Sequence, residues 1–150
     1  MISVEIASMS SNWETFGKQI LLIEQEVFAE KAFSEEMLRS DISDSKAILA
    51  VLKNVDTIIG FAYALPEEKN VSCVVDIAIL KDYQKKGLVA ILMHSLEAEL
   101  KKNGYEYITE HAMVENGYAD KITKNYSSRI IETRDFVSEY GKQRYFKIRL

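Results

Sequence analysis

Between Ala47 and Leu80 three apolar runs follow one another with joins of only four or five residues, and no other stretch limits the fold so strongly. The runs are AILAVL (Ala47–Leu52), TIIGFAYAL (Thr57–Leu65) and VSCVVDIAIL (Val71–Leu80); the joins are KNVD and PEEKN. Short runs rich in Ile and Val read as strands, and joins this short close hairpins. The third run feeds a helical pattern in which Leu88, Leu92, Leu96 and Leu100 recur every fourth residue. That repeat puts all four on one face. Glu97 and Lys101 are spaced to pair on the wet side, and Asn103-Gly104 stops the helix. The next run, YEYITEHA (Tyr105–Ala112), is again a strand. A strand, a helix and a strand in this order form a crossover, so the strands on either side are expected to lie parallel within an otherwise antiparallel sheet.

The flanks complete the pattern. Residues 2–7 alternate Ile2, Val4 and Ile6 with Ser3 and Glu5, the period of a strand. From Asn12, a candidate N-cap, to Lys31, apolar residues recur at helical spacing: Trp13, Phe16, Ile20, Ile23, Val27 and Phe28. Ser34 opens a second short helix, with acids in its first turn. A short helix follows Asn116 and carries Tyr118, Ile122 and Tyr126 on one side. Two last strands, Arg129–Val137 and Lys142–Leu150, join at SEYG (Ser138–Gly141). The expected order is β-α-α-β-β-β-α-β-α-β-β. It is an α+β (mixed α/β) chain with a mostly antiparallel sheet flanked by helices, read as one domain over residues 1–150.

Composition excludes several classes of function. Of 150 residues, 47% are hydrophobic and the net charge is −4, so neither disorder nor a general nucleic-acid binder fits. The basic segment KQRYFKIR (residues 142–149) offers nucleic acid only a weak foothold. One cysteine, Cys73, allows no internal disulfide, and its alternation within a strand makes it a packing residue rather than a nucleophile. The opening MISVEIASMS lacks a basic region, and no apolar run approaches membrane length. A soluble, cytoplasmic protein without a membrane partner is the expectation. Two histidines and one cysteine supply no metal-ligand spacing, and His94 falls on the wet side of its helix.

Chemistry concentrates at DYQKKGLVAILMHSLEAEL (Asp82–Leu100). Gln84, Lys85, Lys86 and Gly87 stand immediately before a helix N-terminus. A helix start carries unpaired N–H groups and partial positive charge, and glycine permits close approach. The stretch is either a solvated basic turn or a seat for phosphates. Two other features stand out. Glu110 and His111 end one strand, and their side chains point to opposite faces, so at most one faces a given cleft. Asp76 lies among apolar residues and needs a partner. Between Glu24 and Asp44 seven acids (Glu24, Glu26, Glu30, Glu35, Glu36, Asp41, Asp44) face only Lys31 and Arg39, which forms either an ordinary wet surface or a rim that attracts cationic amines.

The element order together with QKKGLV (Gln84–Val89), preceded by VDIAILKDY (Val75–Tyr83), resembles the GNAT superfamily of N-acetyltransferases. These carry a Gln/Arg-x-x-Gly-x-Gly/Ala signature between the fourth strand and the third helix. The order matches over almost the whole chain, and the sequence-specific part runs from Val74 to Asn103. The resemblance implies acetyl-CoA as co-substrate, with no metal, and a small-molecule or peptide amine as acceptor, with Glu110, at the end of the strand that faces the cofactor cleft in this family, as the candidate proton acceptor. It implies that backbone N–H groups of Gln84, Lys85, Lys86, Gly87, Leu88 and Val89 line the pyrophosphate. Ile77, Ala78 and Ile79 would accompany the pantetheine arm, with Ile79 at the splay of the strands and its N–H on the thioester carbonyl. Val89 departs from the glycine or alanine of the signature. The family's frequent tyrosine acid is also missing: its position is Lys121 or Thr123, depending on the anchor. Tyr118 and Tyr126 are the substitutes to hand, or else plain core aromatics. An acyl-CoA-binding domain without turnover is the rival reading. The last hairpin's edge leaves a homodimer open.

Overall fold

The computed structural model describes residues 1–8 and 11–150. Its elements are β1 (Ile2–Ala7), α1 (Asn12–Phe28), α2 (Glu35–Ile42), β2 (Ile48–Asn54), β3 (Thr57–Glu68), β4 (Val71–Ile79), α3 (Leu88–Lys102), β5 (Tyr107–Met113), α4 (Tyr118–Asn125), β6 (Ile130–Ser138) and β7 (Gly141–Arg149). The strands form one sheet in the order β1-β2-β3-β4-β5-β7-β6. Every pairing is antiparallel except β4 with β5, the two strands joined through α3. This is the expected mixed architecture.

Alternation sorts the central strands onto two cores. Ile48, Ala50 and Leu52 pack with Leu88, Leu92, Leu96 and Leu100 of α3, joined by Ile108, Phe146 and Ile148. Leu49 and Val51 pack the other way, with Phe61, Tyr63 and the α1–α2 residues Phe16, Ile20, Ile23, Leu38 and Ile42. Strands covered on both faces lose the polar half of their pattern, which is why AILAVL reads as one apolar run. Each α3 leucine is worth roughly 1.5–3 kcal/mol of burial.

Local departures have local causes. Helix α1 ends at Phe28, three residues before the expected Lys31, because Ala29 turns to φ 49°. Its N-cap is Ser11, not Asn12; Asn12 is buried in the first turn and its side-chain amide donates to the Ala7 carbonyl at 3.3 Å. Ser34 caps α2 as expected, its hydroxyl accepting from the Met37 amide at 3.1 Å. Strand β3 continues past Leu65 through Pro66. Pairing with β2 has ended at Ala64, so a residue without an N–H is tolerated there. Glu97 does not pair with Lys101. It turns inward, accepting from the Tyr126 hydroxyl at 2.6 Å and from Arg129 at 3.0 Å.

Gly60 carries a requirement that its place in an apolar run conceals. A Cβ there would stand 2.9 Å from the Ala78 carbonyl oxygen, so β3 can approach the end of β4 only without a side chain.

Candidate functional site

Strands β4 and β5 pair only between Val71–Cys73 and Tyr107–Thr109. β4 then continues to Ile79 and β5 to Met113 without further pairing to each other. On its β3 side, β4 is bulged: Tyr63 opposes Asp76 while Ala64 opposes Val74, leaving Val75 without a partner. A bulge bends its strand, and here the bend coincides with the parting from β5. The wedge therefore opens after Cys73, well before Ile79. Ile79 lies at its wide end. The Leu80 amide bonds to the Ile59 carbonyl of β3 at 2.9 Å, so by antiparallel alternation the Ile79 amide faces away from β3, into the wedge. The Ile79 carbonyl accepts the Gln84 side-chain amide at 2.7 Å, which ties the strand end to the basic turn. Ile77 is half-buried, and Ala78 packs toward α1 and α2.

That turn holds two left-handed residues, Lys85 at φ 62° and Gly87 at φ 76°, on either side of Lys86. For Lys85 the conformation costs about 1–2 kcal/mol. Changes of backbone hand over successive residues turn N–H groups toward one concave side, a shape that suits anions. Gly87 is the N-cap of the 15-residue helix α3 and has no side chain to satisfy the first turn. Among the described residues, the amides of Lys85, Lys86, Gly87, Leu88 and Val89 find no acceptor. Space around Gly87 is open: a Cβ built there meets nothing within 4 Å. Gln84, Lys85 and Lys86 are exposed, Leu88 anchors the turn in the core, and Val89 stays 36% exposed. Lys86 lies 5.8 Å from the centre of the Tyr83 ring.

The two sides of β5 separate the residues that sequence alone left paired. Ile108, Glu110 and Ala112 share the α3/α4 face. Glu110 is 3% exposed, and burial, with the Glu97 charge second, pushes its carboxyl up to about 8. His111 points to the opposite face, edge-on to Phe136 at 5.0 Å and Tyr145 at 5.7 Å. Burial lowers its pKa, which favours the neutral ring at pH 7. Tyr118 is partly buried beside Glu110, and burial first, then the Glu110 charge, drives its phenol far above the ordinary value. Tyr126 is raised likewise by burial and by its bond to Glu97, with Arg129 4.7 Å from its ring. Lys121 is exposed, and Thr123 bonds back to the Ala119 carbonyl while accepting from Arg144.

The acidic segment is less of a rim than its composition suggests. Glu24 is 1% exposed and accepts the Phe33 amide at 2.8 Å, holding the turn between α1 and α2. Among the described residues, its other oxygen and one oxygen of the buried Asp76 have no partner. Burial, then Glu24, raises Asp76 well above the usual carboxylate range. Asp41 accepts the Tyr63 hydroxyl at 2.7 Å, Asp44 the Lys46 amide at 2.8 Å, and Glu26 the Lys81 amide at 3.3 Å. Glu30, Glu35 and Glu36 remain exposed. In KQRYFKIR, Phe146 and Ile148 are buried and Arg144 is held by Asp135 at 2.6 Å. Burial raises the Cys73 thiol to about 11, so it stays protonated at neutral pH. Among the described residues no group of three or more His, Cys, Asp or Glu is placed to hold a metal ion, and no helix is long and apolar enough to cross a membrane.

Comparison with known proteins bears on this geometry. A sequence model of the acetyltransferase (GNAT) family matches residues 12–123. No curated protein matches the sequence. Among solved structures, the ribosomal-protein-S18-alanine N-acetyltransferase of Escherichia coli superposes with a TM-score of 0.72 at 21% identity, over 99% of this chain and 93% of that one. Ard1 from Thermoplasma volcanium gives 0.75 at 12% identity, over 99% and 97%. A GNAT family acetyltransferase from Elizabethkingia anophelis, with acetyl-CoA bound, gives 0.68 at 14% identity, over 99% and 98%. At these identities the likeness is one of fold.

Proposed function

The chain belongs to the acetyltransferase (GNAT) family, and from that premise we propose that it moves an acetyl group from acetyl-CoA to a primary amine by direct attack within a ternary complex. The observation that carries this reading is the wedge between β4 and β5, which ends at five unpaired amides, Lys85 to Val89, at the start of α3. Those amides and the α3 dipole suit a diphosphate, and Lys85 and Lys86 add counter-charge. The unpaired side of β4 along the wedge suits an extended pantetheine arm. The Ile79 amide, aimed into the wedge, is the donor for the thioester carbonyl as negative charge grows on its oxygen. One such donor is worth roughly 2.7–4 kcal/mol elsewhere.

The acceptor approaches from the face that carries His111. A neutral imidazole there takes the proton that the amine must lose, directly or through water. The acceptor is a cationic amine in its resting form, drawn by Glu30, Glu35 and Glu36. Attack forms the C–N bond, breaks the C–S bond and releases coenzyme A, with no covalent enzyme intermediate.

One observation favours the rival reading, binding without turnover: the Tyr126 hydroxyl is spent on Glu97. Free thiol released from acetyl-CoA, measured across monoamines, polyamines, lysine peptides and peptides with free N-termini, separates the two. Acceptor-dependent release is the expected result. Acetyl-CoA binding without release for any amine gives the protein to the rival.

A further inference from the structure

Resting on the acyl-transfer reading, we propose that Glu24 and Asp76 form a buried seat for a second ammonium group of the acceptor, which makes the substrates short diamines or polyamines. Asp76 shares a face of β4 with Ala78 and stands opposite Tyr63 of β3; Ala78 and Tyr63 pack against α1 and α2. Cys73, opposite both Leu65 and Thr109, carries that side of the sheet across to β5, where His111 lies on it. The seat and the proton-accepting imidazole thus share the face from which the acceptor approaches.

Four groups face one another there: Glu24 of α1, Asp41 of α2, Tyr63 and Asp76. Glu24 and Asp76 are 1% and 8% exposed, and their carboxyls lie within hydrogen-bonding reach of each other. Each keeps one buried oxygen without a hydrogen-bond partner among the described residues, although Glu24 already holds the Phe33 amide and Asp41 the Tyr63 hydroxyl. No described lysine, arginine or histidine pairs with Glu24, Asp41 or Asp76. Buried carboxyls set against each other need a cation or a proton between them. The described residues are not placed to hold a metal ion. An ammonium brings three donors and no acceptor, the complement of unpartnered oxygens. Asp41 is only half-buried, so the cluster reaches the surface on the α2 side.

The seat also sets a length. Asp76 stands three residues before Ile79, whose amide awaits the thioester carbonyl, and three residues of strand span about 10 Å. Less about 3 Å for a hydrogen bond at the seat, the seated and the reacting nitrogens stand about 7 Å apart. Putrescine, a four-carbon diamine, comes close to that span, and butylamine is its single-amine counterpart.

With acetyl-CoA saturating, kcat/KM for putrescine is expected to exceed that for butylamine about 10- to 100-fold, as a hydrogen-bonded charge would give. Asp76→Asn keeps the shape and removes the charge; it should bring that ratio close to one, through a higher KM for the diamine. Glu24→Gln, which keeps an oxygen for the Phe33 amide, should act likewise. Attraction by the exposed Glu30, Glu35 and Glu36 would survive both substitutions. Equal kcat/KM for the two amines in the wild type, or a preference that Asp76→Asn leaves in place, overturns the proposal. Calorimetry tests the seat apart from turnover: wild-type protein loaded with coenzyme A should bind putrescine at least about tenfold more tightly than Asp76→Asn does. If no amine releases thiol yet that binding difference is found, the acyl-transfer reading fails and the seat stands. Equal binding by the two proteins removes the seat whatever the turnover.

Discussion

Replacing Gly87 with valine is expected to weaken coenzyme A binding by at least about tenfold, at a cost in stability of about 1–2 kcal/mol. The residue sits at φ 76°, a region that costs non-glycine residues about 1–2 kcal/mol and β-branched ones more. The added Cβ itself meets nothing within 4 Å. The effect comes chiefly through the backbone: valine relaxes toward negative φ and turns the amides of Lys86, Gly87, Leu88 and Val89 away from a common centre. Each 1.4 kcal/mol lost from that grip is about a factor of ten in Kd. Gly87→Ala should fall between wild type and valine. Calorimetric titration beside thermal melts checks the claim, and a valine variant that binds coenzyme A within twofold of wild type contradicts it.

The second large effect is on stability against pH. Two buried carboxyls, Glu110 and Asp76, are held above their ordinary values, chiefly by burial. A group with a raised folded pKa binds its proton more tightly in the native than in the unfolded chain. Its contribution is complete below the unfolded value and is lost as pH climbs through the folded one. For Glu110 the window runs from 4.5 to about 8. At about 1.4 kcal/mol per unit, stability should fall on the order of 3–5 kcal/mol between about pH 5 and pH 9 from this group alone. Asp76 shifts in the same direction and adds to the fall. Glu110→Gln should be more stable than wild type at pH 9 and nearly equal to it at pH 5; Asp76→Asn should show the same sign. Urea unfolding at several pH values measures this. A wild-type stability that rises from pH 5 to pH 9 would refute it.

Much of the fold was legible because its signals are local. The three apolar runs with hairpin joins, the four-residue leucine repeat and the Asn103-Gly104 stop each fix an element, and the crossover through α3 fixes the parallel pair. The basic turn before α3 was legible for the same reason. What escaped depends on atoms distant in the chain. Glu97 and Lys101 have ideal helical spacing, yet Tyr126 and Arg129 arrive from 29 and 32 residues away and offer Glu97 a more buried pairing. Gly60 matters only because the Ala78 carbonyl approaches it. The acidic segment looked uniform, but Glu24 turns inward to Phe33 and Asp76. The division of Glu110 from His111 follows from alternation; which of them is buried depends on α3 and α4 covering one face. The left-handed Lys85 left no signal, since lysine is not a residue that marks such a turn.

The central claim is that the free amides around Gly87 receive the diphosphate of coenzyme A. Its most direct measurement is a proton–nitrogen correlation spectrum of the labelled protein during titration with coenzyme A and, separately, with pantetheine. Coenzyme A is expected to move the Lys85, Lys86, Gly87, Leu88 and Val89 amide signals downfield more than any others, whereas pantetheine, which has no diphosphate, leaves them in place. Amides that stay unmoved under saturating coenzyme A, or that respond equally to pantetheine, would contradict it.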